Sequence, residues 1–327
     1  MIQFGVLGAA KITPRALIYP CVDEPGAVIR AIAARDRSRA ENMAEWAQIR
    51  EVLDDYQAVV EHRKCNAVYI PLPISHHREW TLKALEAGKH VLCEKSFASN
   101  AREAEEMATL ARRKGLVLME AFHCRYHPVF RRAREIVDSG VLGTLREIDA
   151  AFCIPVRIGA HDIRMRYETG GGVTMDIGCY PISWVRHLLD QEPVDVTAEA
   201  QIGPPDVDLK LTARMTFSGG VVATTTGDMT GDAPMTMALE VRGDAGTLKV
   251  QNPLVPQSGH LIELTVEGET TTETRDRRPT YGYQLDAFIQ AVEQGAPLHT
   301  DAMDAVEQMR TIDRCYAAAG MRPRGER

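Results

Sequence analysis

The chain has 327 residues, too many for one ordinary hydrophobic core and suited to two domains. Its 38 Lys and Arg stand against 45 Asp and Glu, a net charge of -7, so no general basic field exists to hold a nucleic acid or an anionic membrane, which leaves small-molecule chemistry. Apolar residues make up 45% of the chain but are interrupted throughout by charge, and no run reaches the roughly 18 residues needed to span a bilayer.

The first stretch, Met1-Ile2-Gln3-Phe4-Gly5, has no basic start and enters a strand pattern at once, which argues against a secretory signal. Seven cysteines, odd in number and without framework spacing, read as thiols in a reducing compartment. Both observations point to a soluble cytoplasmic protein. Apolar runs at Gln3 to Leu7, Val28 to Ala33, Ala67 to Ile70, His90 to Cys93 and Leu116 to Met119 alternate with helical spacing, as in Arg78 to Ala87 closed by Gly88. Such alternation predicts βαβ units around a parallel sheet, a Rossmann-like architecture. The first strand breaks into Gly8-Ala9-Ala10-Lys11-Ile12-Thr13, where a dinucleotide pyrophosphate would meet a helix N-terminus, although only Gly8 of the glycine fingerprint is kept. After the second strand stands Ala34, not an acid, followed by Arg35, Arg37 and Arg39, a pattern that favours NADP over NAD because it suits a 2′-phosphate. The alternative is a solvated helix start, and Asp36 tempers the reading.

From Glu192-Pro193 the pattern changes to strands at Val194 to Ile202, Leu209 to Phe217, Val221 to Gly227, Thr236 to Val241, Thr247 to Val250 and Leu261 to Val266, which predicts a largely antiparallel sheet. Helices are expected at Tyr283 to Gln294 and Asp301 to Ala319, with a loose tail from Met321. Clusters at His123-Cys124-Arg125-Tyr126-His127 and at His62 with Cys65 have no matching second half, so no metal site is expected.

Several of these segments resemble the Gfo/Idh/MocA oxidoreductase family over nearly the whole chain. They are Phe4 to Ile12, Ala33-Ala34-Arg35-Asp36, Ala67 to Ile70 leading to His77, Ala84 to Lys95, Glu120-Ala121-Phe122 through Pro128, and Gly170-Gly171-Gly172 through Asp176-Ile177-Gly178-Cys179-Tyr180. The branch they resemble most is that of the dimeric dihydrodiol dehydrogenases and xylose dehydrogenases. The resemblance implies a Rossmann NAD(P)-binding domain over residues 1–122. It also implies a substrate-binding and oligomerisation domain over residues 123–327, built on an open, mostly antiparallel sheet, with a homodimer formed through that sheet. It places cofactor contacts on Gly8, Ala10, Lys11, Ile12, Arg35, Arg39, Pro71, His77, Glu94 and Lys95, and substrate contacts on Arg125, Asp176 and Tyr180. One departure concerns the family's Glu-Lys-Pro, because Ser96 stands in place of the proline and its backbone is expected to hold Lys95 less firmly.

Catalytic roles fall on Lys95, Asp176 and Tyr180. A phenol can give or take the proton that accompanies hydride transfer, but its ordinary pKa of about 10 needs a nearby ammonium to favour the phenolate. Lys95 supplies that cation, and Asp176, four residues before Tyr180, orients a substrate hydroxyl. The three glycines 170 to 172 are expected to admit a sugar or the nicotinamide close to the backbone, and the basic loop from Pro155 to Arg166 to shape the pocket. Each residue has a structural alternative: a surface position for Lys95, a helix cap for Asp176, core packing for Tyr180, and framework roles for Arg125 and His77. The reading is an NADP-dependent oxidoreductase acting on a secondary alcohol or carbonyl of a sugar or cyclic trans-diol. A keto- or anhydro-sugar reductase and a non-catalytic nucleotide-sensing regulator of the same fold stay open.

Overall fold

The computed structural model describes residues 1–156, 158–159, 162–203 and 206–326. It divides into two compact units, Met1–His123 with Tyr281–Val306, and Cys124–Thr280 with Glu307–Arg327.

Among the described residues, the first unit holds a six-stranded sheet: β1 Ile2–Leu7, β2 Ala27–Ala33, β3 Glu51–Val52, β4 Ala67–Ile70, β5 His90–Cys93 and β6 Leu118–Glu120, in the order β3-β2-β1-β4-β5-β6. Every pairing is parallel, and Val68, Tyr69, Ile70, Val91, Leu92 and Cys93 are all buried, as strands covered on both faces must be. The order reverses between β1 and β4. This is the topological switch point of the sheet.

The sequence reading sets one boundary after residue 122, whereas the contacts also gather Tyr281–Val306 into this unit. Phe288 of the helix Thr280–Gln294 stacks at 5.4 Å on Phe4 of β1, the Met1 amine pairs with Glu293, and the Glu120 amide donates to the Thr300 carbonyl. An amphipathic helix pattern shows that a partner is needed but not which one.

The second unit carries β7 Leu145–Cys153, β8 Asp195–Gly203, β9 Val207–Thr216, β10 Val222–Asp228, β11 Thr236–Gly243, β12 Gly246–Gln251, β13 Leu261–Val266 and β14 Glu269–Glu273, in the order β14-β13-β12-β11-β7-β10-β9-β8. All neighbours are antiparallel except β7 with β10. Central strand β7 lay outside the sequence expectation, though Ile148, Ala150 and Phe152 alternate inward from Glu147 and Asp149.

The apolar side of this sheet is the one covered by the helix Cys179–Leu189. A Cβ on Gly227 of β10 would meet the Gly178 Cα at 2.8 Å, so helix start and strand touch backbone to backbone. Glu147, Asp149, Arg214, Val222 and Thr224 line a shallow hollow elsewhere on the sheet, and Arg242 pairs there with Asp149 at 2.6 Å. The face left open by that helix is therefore polar where this hollow lies.

Candidate active site

In the first unit the candidate residues gather at the carboxyl ends of the parallel strands. Gly8 follows β1 with φ of +104°, and a Cβ there would come within 3.1 Å of Leu72. Only glycine keeps this turn free of a side chain, which leaves a backbone cradle of the kind a pyrophosphate requires. Ala10 and Ile12 are half-buried and Lys11 is exposed, and the chain then winds into a π-helical turn, Pro14–Ile18, that opens the helix Tyr19–Asp23.

At the end of β2, Asp36 is occupied as the N-cap of the helix Arg37–Ala47. It accepts from the Ser38 hydroxyl at 2.7 Å and the Ser38 amide at 3.1 Å, bonds that hold its carboxyl below the usual range. Arg37 pairs with Glu41 at 2.8 Å and Asp54 at 2.5 Å, as a solvated helix start would. Arg39 instead reaches back to donate to the Ala9 carbonyl at 2.6 Å, tying the end of β2 to the Gly8 turn, and Arg35 is exposed. The acid that tempered the NADP reading is thus committed to its own helix.

Lys95 is half-buried just past β5. Glu94 before it is buried and accepts from the Tyr69 hydroxyl at 2.7 Å, and burial pushes its pKa up. Pro71 is buried after β4. His77, expected at the cofactor, is wholly buried, with Nδ1 2.9 Å from the Ser96 carbonyl and Nε2 2.8 Å from the Leu72 carbonyl. Burial lowers its pKa to about 4, so the neutral ring donates to one of these carbonyls at a time. His77 therefore joins the loop after β4 to the loop after β5. The Lys95–Ser96 peptide is cis. Ser96 is buried with its carbonyl at this histidine, a contact that holds the backbone expected to be less firm without the proline.

The residues weighed for metal ligation have other partners. His62 faces Glu51 at 3.1 Å and Cys65 at 3.5 Å, and His123 stacks on Tyr281 at 4.0 Å.

In the second unit, Asp176 and Tyr180 stand at the start of one helix, wound as a π-helical turn over Thr174–Gly178 and as an α-helix from Cys179. The wider turn alters the i, i+4 relation assumed from an ideal α-helix, and π-turns of this kind recur at functional sites. Tyr180 is 5% exposed, its ring 5.9 Å from Phe152 of β7 and 6.3 Å from Trp184. Asp176 is half-buried and accepts from Arg164 Nε at 2.6 Å, while Arg164 also pairs with Asp162 at 3.2 Å.

Sequence reasoning placed Arg164 only in a basic loop, with no sign that it meets Asp176. Arg157, Ala160 and His161 of that loop lie outside the described residues. Arg125 is buried and its guanidinium lies 3.1 Å from His187 Nδ1, on the last turn of Tyr180's helix. His127 caps the helix Pro128–Asp138 by accepting from the Val129 amide at 3.1 Å.

Two expectations in this region are corrected. Gly171 and Gly172 do not open the backbone to a ligand. A Cβ on the first would meet the Arg164 and Arg166 carbonyls at 2.6 Å, and on the second Asp208 Oδ1 at 2.1 Å and Arg324 Nη2 at 2.7 Å. Nor is the C-terminal segment loose, because Arg324 is fully buried and bonded to Asp208 at 2.6 Å. A polar tail sequence reads as solvated unless the buried acid that answers it is known.

Residues 2–122 match the oxidoreductase family with an NAD-binding Rossmann fold, and residues 130–249 match the GFO/IDH/MocA C-terminal domain. The chain is similar to D-xylose 1-dehydrogenase (NADP(+)) 2 of Haloferax volcanii, 33% identical over 320 residues and 97% of each protein. It is also similar to trans-1,2-dihydrobenzene-1,2-diol dehydrogenase of Xenopus tropicalis, 30% identical over 66% of each protein. Among solved structures, a 3-ketoreductase from Actinomadura kijaniata in complex with NADP and TDP-benzene superimposes with a TM-score of 0.87 at 33% identity, covering 95% of this chain and 96% of that one. With both halves matched and the expected branch among its relatives, the chain belongs to the GFO/IDH/MocA family of oxidoreductases.

Proposed function

We propose that the protein is an NADP-dependent oxidoreductase acting on a secondary alcohol, or the corresponding carbonyl, of a sugar or cyclic trans-diol. The observation that carries this reading is Lys95, half-buried at the carboxyl end of β5 in a parallel sheet whose order reverses one strand away. A lysine at that place serves a bound nicotinamide and its substrate better than it serves the core. The xylose dehydrogenase and dihydrodiol dehydrogenase relatives support the substrate class.

The Gly8 turn, with Ala10, Lys11 and Ile12, holds the pyrophosphate on backbone amides, and Arg35 and Arg39 receive the 2′-phosphate. Pro71 and Glu94 shape the nicotinamide end, and His77 acts there through the loops it joins. NADP, when bound, supplies the hydride acceptor. Tyr180 takes the hydroxyl proton as the carbinol C–H bond breaks and returns it in the reverse direction. Lys95 donates to the reacting oxygen and stabilises the charge that develops on it. Asp176 orients a substrate hydroxyl, and Arg125 supports the substrate side.

We place the enzyme in the cytoplasm, as a homodimer through the polar face of the second unit's sheet, where Arg242, Asp149 and Glu147 supply charges of both signs. The similarity to a 3-ketoreductase favours a second reading, reduction of a keto-sugar with the same residues.

The test follows nicotinamide absorbance with NADP+ and NAD+ against aldoses, inositols, anhydro-sugars and trans-cyclohexanediols. Turnover with NADP+ preferred is the expected result, and oxidation of NADPH by keto-sugars alone points to the reductase. No turnover in either direction by a protein that binds NADPH overturns both.

A further inference from the structure

We infer that the C-terminal segment Met321–Glu326 is a strap that sets the geometry of Asp176, with Arg324 as its positioning residue. The inference rests on the proposed function in one respect only, the role given to Asp176 and Tyr180.

Arg324 carries a guanidinium with no exposure, and two of its bonds run to groups next to the turn that carries Asp176. Its Nη2 donates to Asp208 Oδ1 at 2.6 Å, and Asp208 Oδ2 accepts from the Thr174 amide at 2.8 Å, the first residue of the turn that carries Asp176. Its Nε donates to the Gly171 carbonyl at 2.6 Å, two residues before the Val173 that precedes that turn. Its face lies 4.2 Å from the Tyr316 ring centroid, and Tyr316, kept protonated by burial and by Asp208, donates to Asp208 at 3.1 Å.

The same segment grips the loop on the other side of Asp176. The Tyr167 hydroxyl donates to the Pro323 carbonyl at 2.6 Å, and Arg322 and Arg324 lie 5.3 and 5.2 Å over its ring. Tyr167 stands three residues beyond Arg164, whose Nε donates to Asp176 and whose carbonyl accepts from the Gly172 amide at 2.8 Å. The strap thus fixes both the helix start bearing Asp176 and the loop bearing its cationic partner. A buried arginine with bonds on three of its nitrogens is more than a charge balance for Asp208, since lysine would satisfy the charge without the fork.

The role of glycine at 171 and 172 follows from this. Both positions are filled by the strap and the loop closing on them, Gly172 against Asp208 and Arg324, Gly171 against the carbonyls of Arg164 and Arg166.

Two variants of the full chain test the strap. Tyr167→Phe removes one hydroxyl, and Arg324→Lys keeps the charge but loses the bond to Gly171. Hydrogen exchange of the Gly172 and Thr174 amides is expected to quicken by about tenfold or more in both, with β7 and β10 unchanged. With a substrate found as described above, kcat is expected to fall by about tenfold while the KM for NADP stays within about twofold, a split that a general loss of fold does not produce. Unchanged exchange in folded variants overturns the strap. Faster exchange with unchanged kcat and substrate KM overturns the positioning role. If the wild-type protein turns over nothing, the proposed function fails, and exchange at Gly172 and Thr174 alone decides the strap.

Discussion

The two units hold their candidate residues by different means. In the first unit the site is main chain: a glycine turn after β1, strand ends at a switch point, and loops after β4 and β5 joined by the carbonyl contacts of His77. In the second it is side-chain charge: Asp176 held by Arg164, and its helix start held by Asp208 and Arg324. A main-chain cradle tolerates substitution outside its glycine, and Ala10 and Thr13 stand where two fingerprint glycines would be. A buried ion pair tolerates almost none, because removing one partner leaves the other charged and desolvated.

That difference is testable as a difference in what mutations break. Asp208→Ala should cost about 3–5 kcal/mol of stability, read by urea unfolding, because it leaves a buried guanidinium without its counter-charge. A loss below about 1 kcal/mol would mean that the second half is not built on this pair. Lys95→Met, in contrast, should leave stability nearly unchanged and lower kcat by about 10²–10³, the usual cost of removing a donor to a developing oxyanion. A variant that keeps its kcat removes Lys95 from the chemistry.

The pH response sharpens the contrast from the side of the first unit. His77 has its pKa lowered from 6.5 to about 4 by burial, so the unfolded chain binds the extra proton between those values. Its contribution is fully present above pH 6.5 and is lost as pH falls toward 4, by up to about 3 kcal/mol. Urea midpoints at pH 7 and pH 5 should therefore differ more in the wild-type protein than in His77→Gln. Equal differences would show that the loops after β4 and β5 are held by something else.

The smallest effect is expected at the end of β2. Arg35→Ser should raise the KM for NADP by about tenfold, one charge-assisted bond, and leave that for NAD unchanged. Equal effects on the two cofactors would remove Arg35 from the 2′-phosphate.

The same contrast decides what could be read from sequence. Parallel strands announce themselves as short apolar runs, and β1, β2, β4 and β5 fall within a residue or two of where those runs lie. Strand β3 has two residues and β14 is entirely Glu and Thr, so neither offers a period or an apolar face. Gly8 was legible because φ of +104° needs glycine, whereas Gly171 and Gly172 were misread because close approach of protein and close approach of ligand require the same residue. Asp208 and Arg324 were missed for one reason. They lie far apart along the chain in polar segments, and only folding shows that a charged residue in a tail is buried against an acid more than a hundred positions away.

The most direct test is a single-turnover measurement of nicotinamide absorbance, comparing wild type with Tyr180→Phe, each saturated with NADP+ and the best alcohol of the panel. Loss of the phenol is expected to slow hydride transfer by about 10²–10⁴, with NADP+ affinity within about twofold of wild type. Hydride transfer at the wild-type rate in a folded, cofactor-bound Tyr180→Phe protein would contradict it.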